Sequence, residues 1–229
     1  MLLWKETYSG KQSTTDNVNE GEPWKTWPRP PQGFLDFGYA FRLNTTQHNV
    51  NLTSRRCGNG LLTHILIAEG YNGHGIDLRS RVSWSHYAPA TQARLHVYAF
   101  NPFFTVNTID DPYFKPGVFI IGNHADELTP WVPVVSTIIS AAGYLSIPCC
   151  AWSFDVKYDR SKAPTYPIPS DEFVESLNLG GTGKNDSSYS KYRIWLASLS
   201  LHCGWEVECE TLRIPSTRNW ATIGAYSCE

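Results

Sequence analysis

CGNGLLTHILIAEGYNGHGID, Cys57 to Asp77, decides how this chain folds. It reads as a Gly-rich turn, an amphipathic helix, a second turn and a strand that ends in a carboxylate. That is the ligand-binding end of a βαβ unit. In such units the glycines let backbone approach a ligand, and an acidic residue about 20 positions downstream takes ribose hydroxyls. Leu61, Leu62, Ile65 and Leu66 share one helical face, Thr63, His64 and Glu69 fall off it, and Gly70 can end the helix in the left-handed conformation. Taken alone, the turn is a nucleotide loop without its front half.

Outward from that stretch, 229 residues fit one α/β domain, and the net charge of −2 does not announce a dedicated nucleic-acid binder. Six cysteines are even in number. The opening MLLWKETYSG has no apolar run long enough for a signal peptide, so reduced thiols in the cytoplasm are expected. Chance polar sequence accounts for the sequons at Asn44, Asn51 and Asn185. Residues 1–32 form an irregular, Pro-rich lead-in, and 33–229 form the domain.

Upstream, Gly33 to Gly38, GFLDFG, has the pattern of a short buried strand. Tyr39 to Arg56, 18 residues rich in Asn and Thr, lacks helical or strand period and reads as an insertion, either a retained intron or a surface loop. Without it GFLDFG joins CGNGLL, giving a strand, an acidic residue, a GxGxG turn and a helix start in register. The joined string resembles motif I of the class I S-adenosylmethionine (AdoMet) dependent methyltransferases. That resemblance implies AdoMet as cofactor, with Asp36, Gly38, Gly58, Asn59, Gly60 and Asp77 around it. The turn must pass the cofactor with no Cβ in the way, and amides at the helix start serve its carboxylate.

Downstream, elements alternate as an open α/β sheet requires. Strands are expected at Gly75–Leu78, around Leu95–Ala99, at Val118–Ile121 and at Tyr144–Ile147, with a helix over Thr129–Ala141. A Pro/Ser/Gly-rich loop fills Asp159–Gly183. Tyr192, Trp195, Leu196 and Leu199 mark a last helix, and Trp205–Leu212 with Trp220–Ala225 form an antiparallel closing pair. The fold expected is a class I methyltransferase (Rossmann-like) domain. Its sheet is mostly parallel, ends on an antiparallel C-terminal strand and carries helices on both faces.

The strings CGNGLL, EGYNGHGIDLRSR, FIIGNHADELTPWVPV, LSIPCCAWSFD and LRIPSTRNWATIG, in this order, resemble the eukaryotic, fungal-like tRNA(Ser) uridine 2′-O-methyltransferase family. The resemblance implies methyl transfer to a uridine ribose in serine tRNA beside the variable arm, by a cytoplasmic enzyme. Family members generally carry a longer region ahead of motif I. By analogy, Asn123 and His124 line the reacting centre, and Asp126 and Glu127 accept or orient a proton; the competing role for the two acids is a helix N-terminal cap.

Arg213, Ser216, Thr217 and Arg218 offer donors suited to RNA phosphate, against the alternative of a plain hairpin turn. Trp131 and Trp152 are candidates for base stacking, and Arg79 and Arg81 either steer substrate or solvate a surface. Cys149-Cys150 lacks CxxC or HxxxH spacing, so no metal site is expected. Two other readings stand beside the enzyme: a scaffold or RNA-binding protein with a broken cofactor loop, and a methyltransferase acting on another RNA or a small molecule.

Overall fold

A seven-stranded sheet organises the computed structural model, which describes residues 52–55 (backbone only), 57–100, 111–179, 187–213 and 218–225. The strands of the sheet are β1 (Leu52–Arg55), β2 (Gly73–Asp77), β3 (Leu95–Val97), β4 (Phe119–Asn123), β5 (Gly143–Ile147), β8 (Glu206–Thr211) and β9 (Trp220–Ala225). A separate two-stranded ribbon pairs β6 (Trp152–Ser153) with β7 (Val156–Lys157). The helices are α1 (Leu61–Ala68), α2 (Pro89–Gln92), α3 (Trp131–Ile138), α4 (Asp171–Ser176) and α5 (Ser188–His202).

The order across the sheet is β3-β2-β1-β4-β5-β9-β8. Strands β1 to β5 run parallel, whereas β9 lies antiparallel to β5 and to β8. This is the strand order of the class I methyltransferase fold expected from the sequence.

The central strand is not the one expected. Leu52–Arg55, inside the stretch that reads as an insertion, pairs with β2 on one side and β4 on the other. The Cys57 N–H continues the ladder by donating to the Ile76 carbonyl at 3.0 Å. A strand flanked on both sides draws its stability from two backbone ladders, so LTSR holds this place with little apolar content. Leu52–Arg55 therefore belongs to the sheet and not to a looped-out insertion. Gly33–Gly38, including Asp36 and Gly38, lies outside the described residues.

The two faces of the sheet alternate along its strands. Ile120 and Tyr144 turn to the face covered by Val132 and Val135 of α3 and by Trp205. Phe119, Ile121, Leu145 and Ile147 turn to the face that holds Leu66 of α1. Two large residues pin the first face. The Tyr144 hydroxyl donates to Ser200 Oγ at 2.7 Å, and Trp205 Nε1 donates to the Pro133 carbonyl at 3.1 Å. Gly122 makes room for α3, since a Cβ there would lie 2.6 Å from Val132 Cγ2.

Helix α1 differs in one respect from its periodicity. Thr63, expected off the apolar face, is buried with Leu66, while Leu61, Leu62 and Ile65 are half-buried. Gly75 explains it, because a Cβ there would stand 2.3 Å from Thr63 Oγ1: the missing side chain admits Thr63 against β2. The helix stops as expected. Gly70 is left-handed (φ 88°), its N–H donates to the Ile67 carbonyl, and the Tyr71 N–H donates to the Leu66 carbonyl.

Helix α3 begins two residues later than expected. A short 3-10 turn, Asp126–Leu128, precedes it, and Pro130 stands at its N-cap. Within the tract that reads as loop, α4 forms because Ser170 Oγ accepts the Phe173 N–H and Asp171 and Glu172 occupy its first turn. Among the described residues no helix is long and apolar enough to cross a membrane.

Candidate active site

All the strands from β1 to β5 end at one edge of the sheet, and the order reverses between β1 and β4. Ligands of open α/β sheets bind at such a reversal, beyond the carboxyl ends of the strands. Register fixes what flanks it. Arg55 pairs with Ile76 and with Gly122, so Asp77 and Asn123 stand one residue beyond it on either side. Two strand spacings of ~4.8 Å separate them. That span suits a nucleoside-sized ligand, and the turn after β1 forms its floor.

The turn is built by its neighbours. Gly58 and Gly60 are both left-handed, at φ 55° and 81°. The Gly58 N–H donates to Asp77 Oδ2 at 3.0 Å, and the Arg79 N–H donates to Asp77 Oδ1 at 3.3 Å. Arg81 approaches the same carboxylate at 3.9 Å but is largely exposed. Asp77 itself is 8% exposed. Each carboxylate oxygen has spent one acceptor direction on a main-chain amide and keeps another acceptor direction.

Other residues of the turn are held from outside it. The Asn59 side chain accepts the Leu61 N–H at 3.2 Å, at the start of α1. Trp84 Nε1 donates to the Gly58 carbonyl at 2.9 Å, and Ser83 Oγ donates to the Asn59 carbonyl at 2.9 Å. A Cβ on Gly60 would meet Leu95 and Tyr87 at 3.0 to 3.2 Å. Beneath the turn, burial and then the nearby Asp77 push the Cys57 thiol up to about 12, so it stays protonated and inert. Ser83 and Trp84 have no sequence signal: their role depends on a 3-10 turn folding over a loop some two dozen residues earlier.

The loop after β4 carries the reacting-centre candidates. Asn123 is the last residue of β4 and pairs with Ile147 of β5. The His124 N–H then donates to the Ile147 carbonyl at 3.1 Å. His124 and Asp126 are both left-handed (φ 53° and 48°), an arrangement that non-glycine residues adopt at a cost in tightly determined sites. Burial lowers the His124 pKa, with Asp126 opposing, which favours the neutral imidazole. Asp126 and Glu127 form the first turn of the 3-10 segment, and no side chain caps it.

Across the crevice mouth, the β5 exit brings Pro148, Cys149 and Cys150 beside the same loop. Cys149 Sγ donates to Asp126 Oδ1 at 3.2 Å. Burial first, then Asp126, pushes that thiol up to about 12. The Tyr189 hydroxyl, near the start of α5, donates to the Pro148 carbonyl at 2.7 Å, and the Arg218 guanidinium lies 3.8 Å over the Tyr189 ring. Arg218 thus stands at the β5 side of the crevice, whereas Arg213 is exposed just past the end of β8. Ser216 and Thr217 lie outside the described residues.

Trp131 packs edge-on against Phe154, and Lys157 Nζ sits 3.9 Å over Trp152. Neither ring is set apart as a free stacking platform. Arg79 and Arg81 are exposed, with Arg79 contributing its amide to Asp77.

A strand order with one antiparallel C-terminal partner, a left-handed glycine turn and a carboxylate held beside it define a class I AdoMet-dependent methyltransferase domain. A family model described as "Predicted AdoMet-dependent methyltransferase" matches residues 42–102 and so begins within the stretch that reads as an insertion. The tRNA (uracil-O(2)-)-methyltransferase of Schizosaccharomyces pombe is 36% identical over 73% of this chain and 34% of its own length. The protein of the same name from Neurospora crassa is 38% identical over 73% of this chain and 34% of its own length. For Saccharomyces cerevisiae the identity is 32%, over 73% of this chain and 35% of that protein.

By sequence the chain is similar to these tRNA (uracil-O(2)-)-methyltransferases over about three quarters of its own length, and it spans about a third of the length of these relatives. Among solved structures, the antibiotic-resistance methyltransferase Kmr is similar at a TM-score of 0.42 and 12% identity, over 88% of this chain and 95% of that one.

Proposed function

We propose that the chain catalyses AdoMet-dependent methylation of a ribose 2′-oxygen in tRNA, at a uridine of serine tRNA beside the variable arm. The observation that carries this reading is the crevice between β1 and β4. On one wall Asp77 is buried and oriented by two main-chain amides; on the other stand Asn123 and His124, whose burial favours the neutral imidazole. The names of the family relatives supply the class of acceptor.

When bound, AdoMet supplies a methyl carbon already activated by its sulfonium. What remains for the chain is alignment and removal of one proton. Asp77 holds ribose hydroxyls of the cofactor, while Gly58 and Gly60 keep side chains out of its path. Asn123 orients the substrate hydroxyl. His124 accepts the proton, and Asp126 and Glu127 favour the resulting imidazolium. Arg218, stacked on Tyr189, meets RNA phosphate at the β5 side, and Arg213, Ser216 and Thr217 are the further RNA-contact residues proposed. The compartment proposed is the cytoplasm.

The test is transfer of labelled methyl from AdoMet to serine tRNA transcripts and to a matched transcript carrying 2′-deoxyuridine at the target position. Methylation of the first and none of the second is expected. Equal labelling of the deoxy transcript would place the methyl on the base and refute the ribose assignment. Calorimetry with AdoMet separates the scaffold reading, which predicts no binding.

A further inference from the structure

We propose that Asp126, Cys149 and Cys150 form a binding site for a zinc-class divalent ion, clamping the loop after β4 to the exit of β5. The sequence hides this site because its members do not share one element. Asp126 and the cysteine pair are separated by more than twenty residues, yet β4 and β5 are adjacent parallel strands whose ends deliver both loops to one edge. There one carboxylate oxygen and two sulfurs lie within 4.8 Å of one another, the signature of convergent ligands.

The dimensions suit zinc. Tetrahedral coordination with Zn–S of about 2.3 Å and Zn–O of about 2.1 Å sets ligand atoms roughly 3.6 to 3.8 Å apart. The Cys149 Sγ to Asp126 Oδ1 distance is 3.2 Å, so that pair opens slightly, while the widest separation in the group closes by at most about 1.2 Å. Two sulfur ligands select a thiophilic ion over magnesium or calcium.

The S–H of Cys149 now bridges to the carboxylate. A divalent ion replaces that proton, and both thiols release theirs to solvent on binding. Three protein ligands leave the fourth position to water or another exchangeable group. The ion would hold the Asn123–Glu127 loop through Asp126, and with that carboxylate ligated the part of favouring an imidazolium at His124 falls to Glu127.

Cobalt(II) titration of the reduced chain under anaerobic conditions tests this apart from any methyl transfer. Wild type should bind one equivalent, with the intense near-ultraviolet thiolate-to-cobalt band and the visible band of a tetrahedral site, both erased by zinc. C149S and C150S should each weaken binding by more than the roughly 10–100-fold typical of an outer-shell partner, and D126N should keep the sulfur band at lower affinity. C209S, at a half-buried thiol of β8, should titrate like wild type. Circular dichroism of the metal-free variants verifies that they fold, and the conservative D126N carries the test if a cysteine variant does not. No thiolate band in wild type overturns the proposal. So does a band that survives in the C149S/C150S double variant, or a D126N affinity equal to wild type.

Discussion

Replacing Asp77 by asparagine removes one negative charge and nothing in size, which makes it the sharpest probe of the crevice. In the structure the two carboxylate oxygens accept the Gly58 N–H at 3.0 Å and the Arg79 N–H at 3.3 Å. An asparagine amide has one oxygen, so one of these donors would face an NH2 group. Hydrogen bonds to a charged group contribute about 1.5–3 kcal/mol each, and one is lost outright. The Arg81 ion pair adds little, because that side chain is 54% exposed and surface pairs contribute about 0–1 kcal/mol.

A loss of about 2 kcal/mol lowers the melting temperature of a domain of this size by roughly 4–8 °C. For ligand binding, replacing charged acceptors of ribose hydroxyls by one neutral acceptor costs about 1.5–3 kcal/mol, or roughly 10- to 150-fold in Kd. The assay is calorimetric titration with S-adenosylhomocysteine, alongside thermal unfolding of the unliganded variant. A melting temperature that falls while Kd stays within about twofold would refute the cofactor role and leave Asp77 as a brace for the glycine turn.

Further perturbations test other links. Gly224→Ala would set a Cβ 2.0 Å from the Tyr144 ring, which is fully buried and tied to Ser200; a cost of at least about 1–3 kcal/mol is expected in urea unfolding. Burial lowers the pKa of His64, His74, His96 and His124. The unfolded chain therefore binds more protons below about pH 6.5, so the urea midpoint should be highest above that pH and fall as pH drops to about 5. His74 and His96 contact at 3.0 Å near Arg94, and the H74Q/H96Q double variant should flatten the fall. Tyr189→Ala, which removes the ring beneath Arg218, should weaken RNA binding by about as much as Arg218→Ala, with the double variant no worse than either, measured by filter binding.

Much of the fold is legible in the residues because its buried strands are apolar runs with clear ends. FII before Gly122 and YLSI before Pro148 announce β4 and β5, and the alternation of β8 and the run of β9 announce the closing pair. Asp77 is legible for the same reason: it ends a strand at a set distance from a glycine turn. β1 is not, since LTSR carries one large apolar residue and its position depends on two neighbours from later in the chain. Thr63 could not be placed by helical period, because its burial depends on the absence of a side chain at Gly75. The same limit hides Trp84 over the Gly58 carbonyl, Tyr189 under Arg218 and Cys149 beside Asp126. Each is a contact between elements distant in sequence, and spacing along one element holds no trace of it.

The outer strand β8 has one more consequence. It forms one margin of the sheet, and Glu206, Glu208 and Glu210 alternate along it, all exposed, while Val207 and Cys209 turn inward. An open margin is a template on which another strand can pair, and self-pairing of this one would bring carboxylates of two copies together. The opposite margin, β3, is only three residues long. The sheet thus carries its own guard against growing sideways into aggregates: charge on one border and brevity on the other.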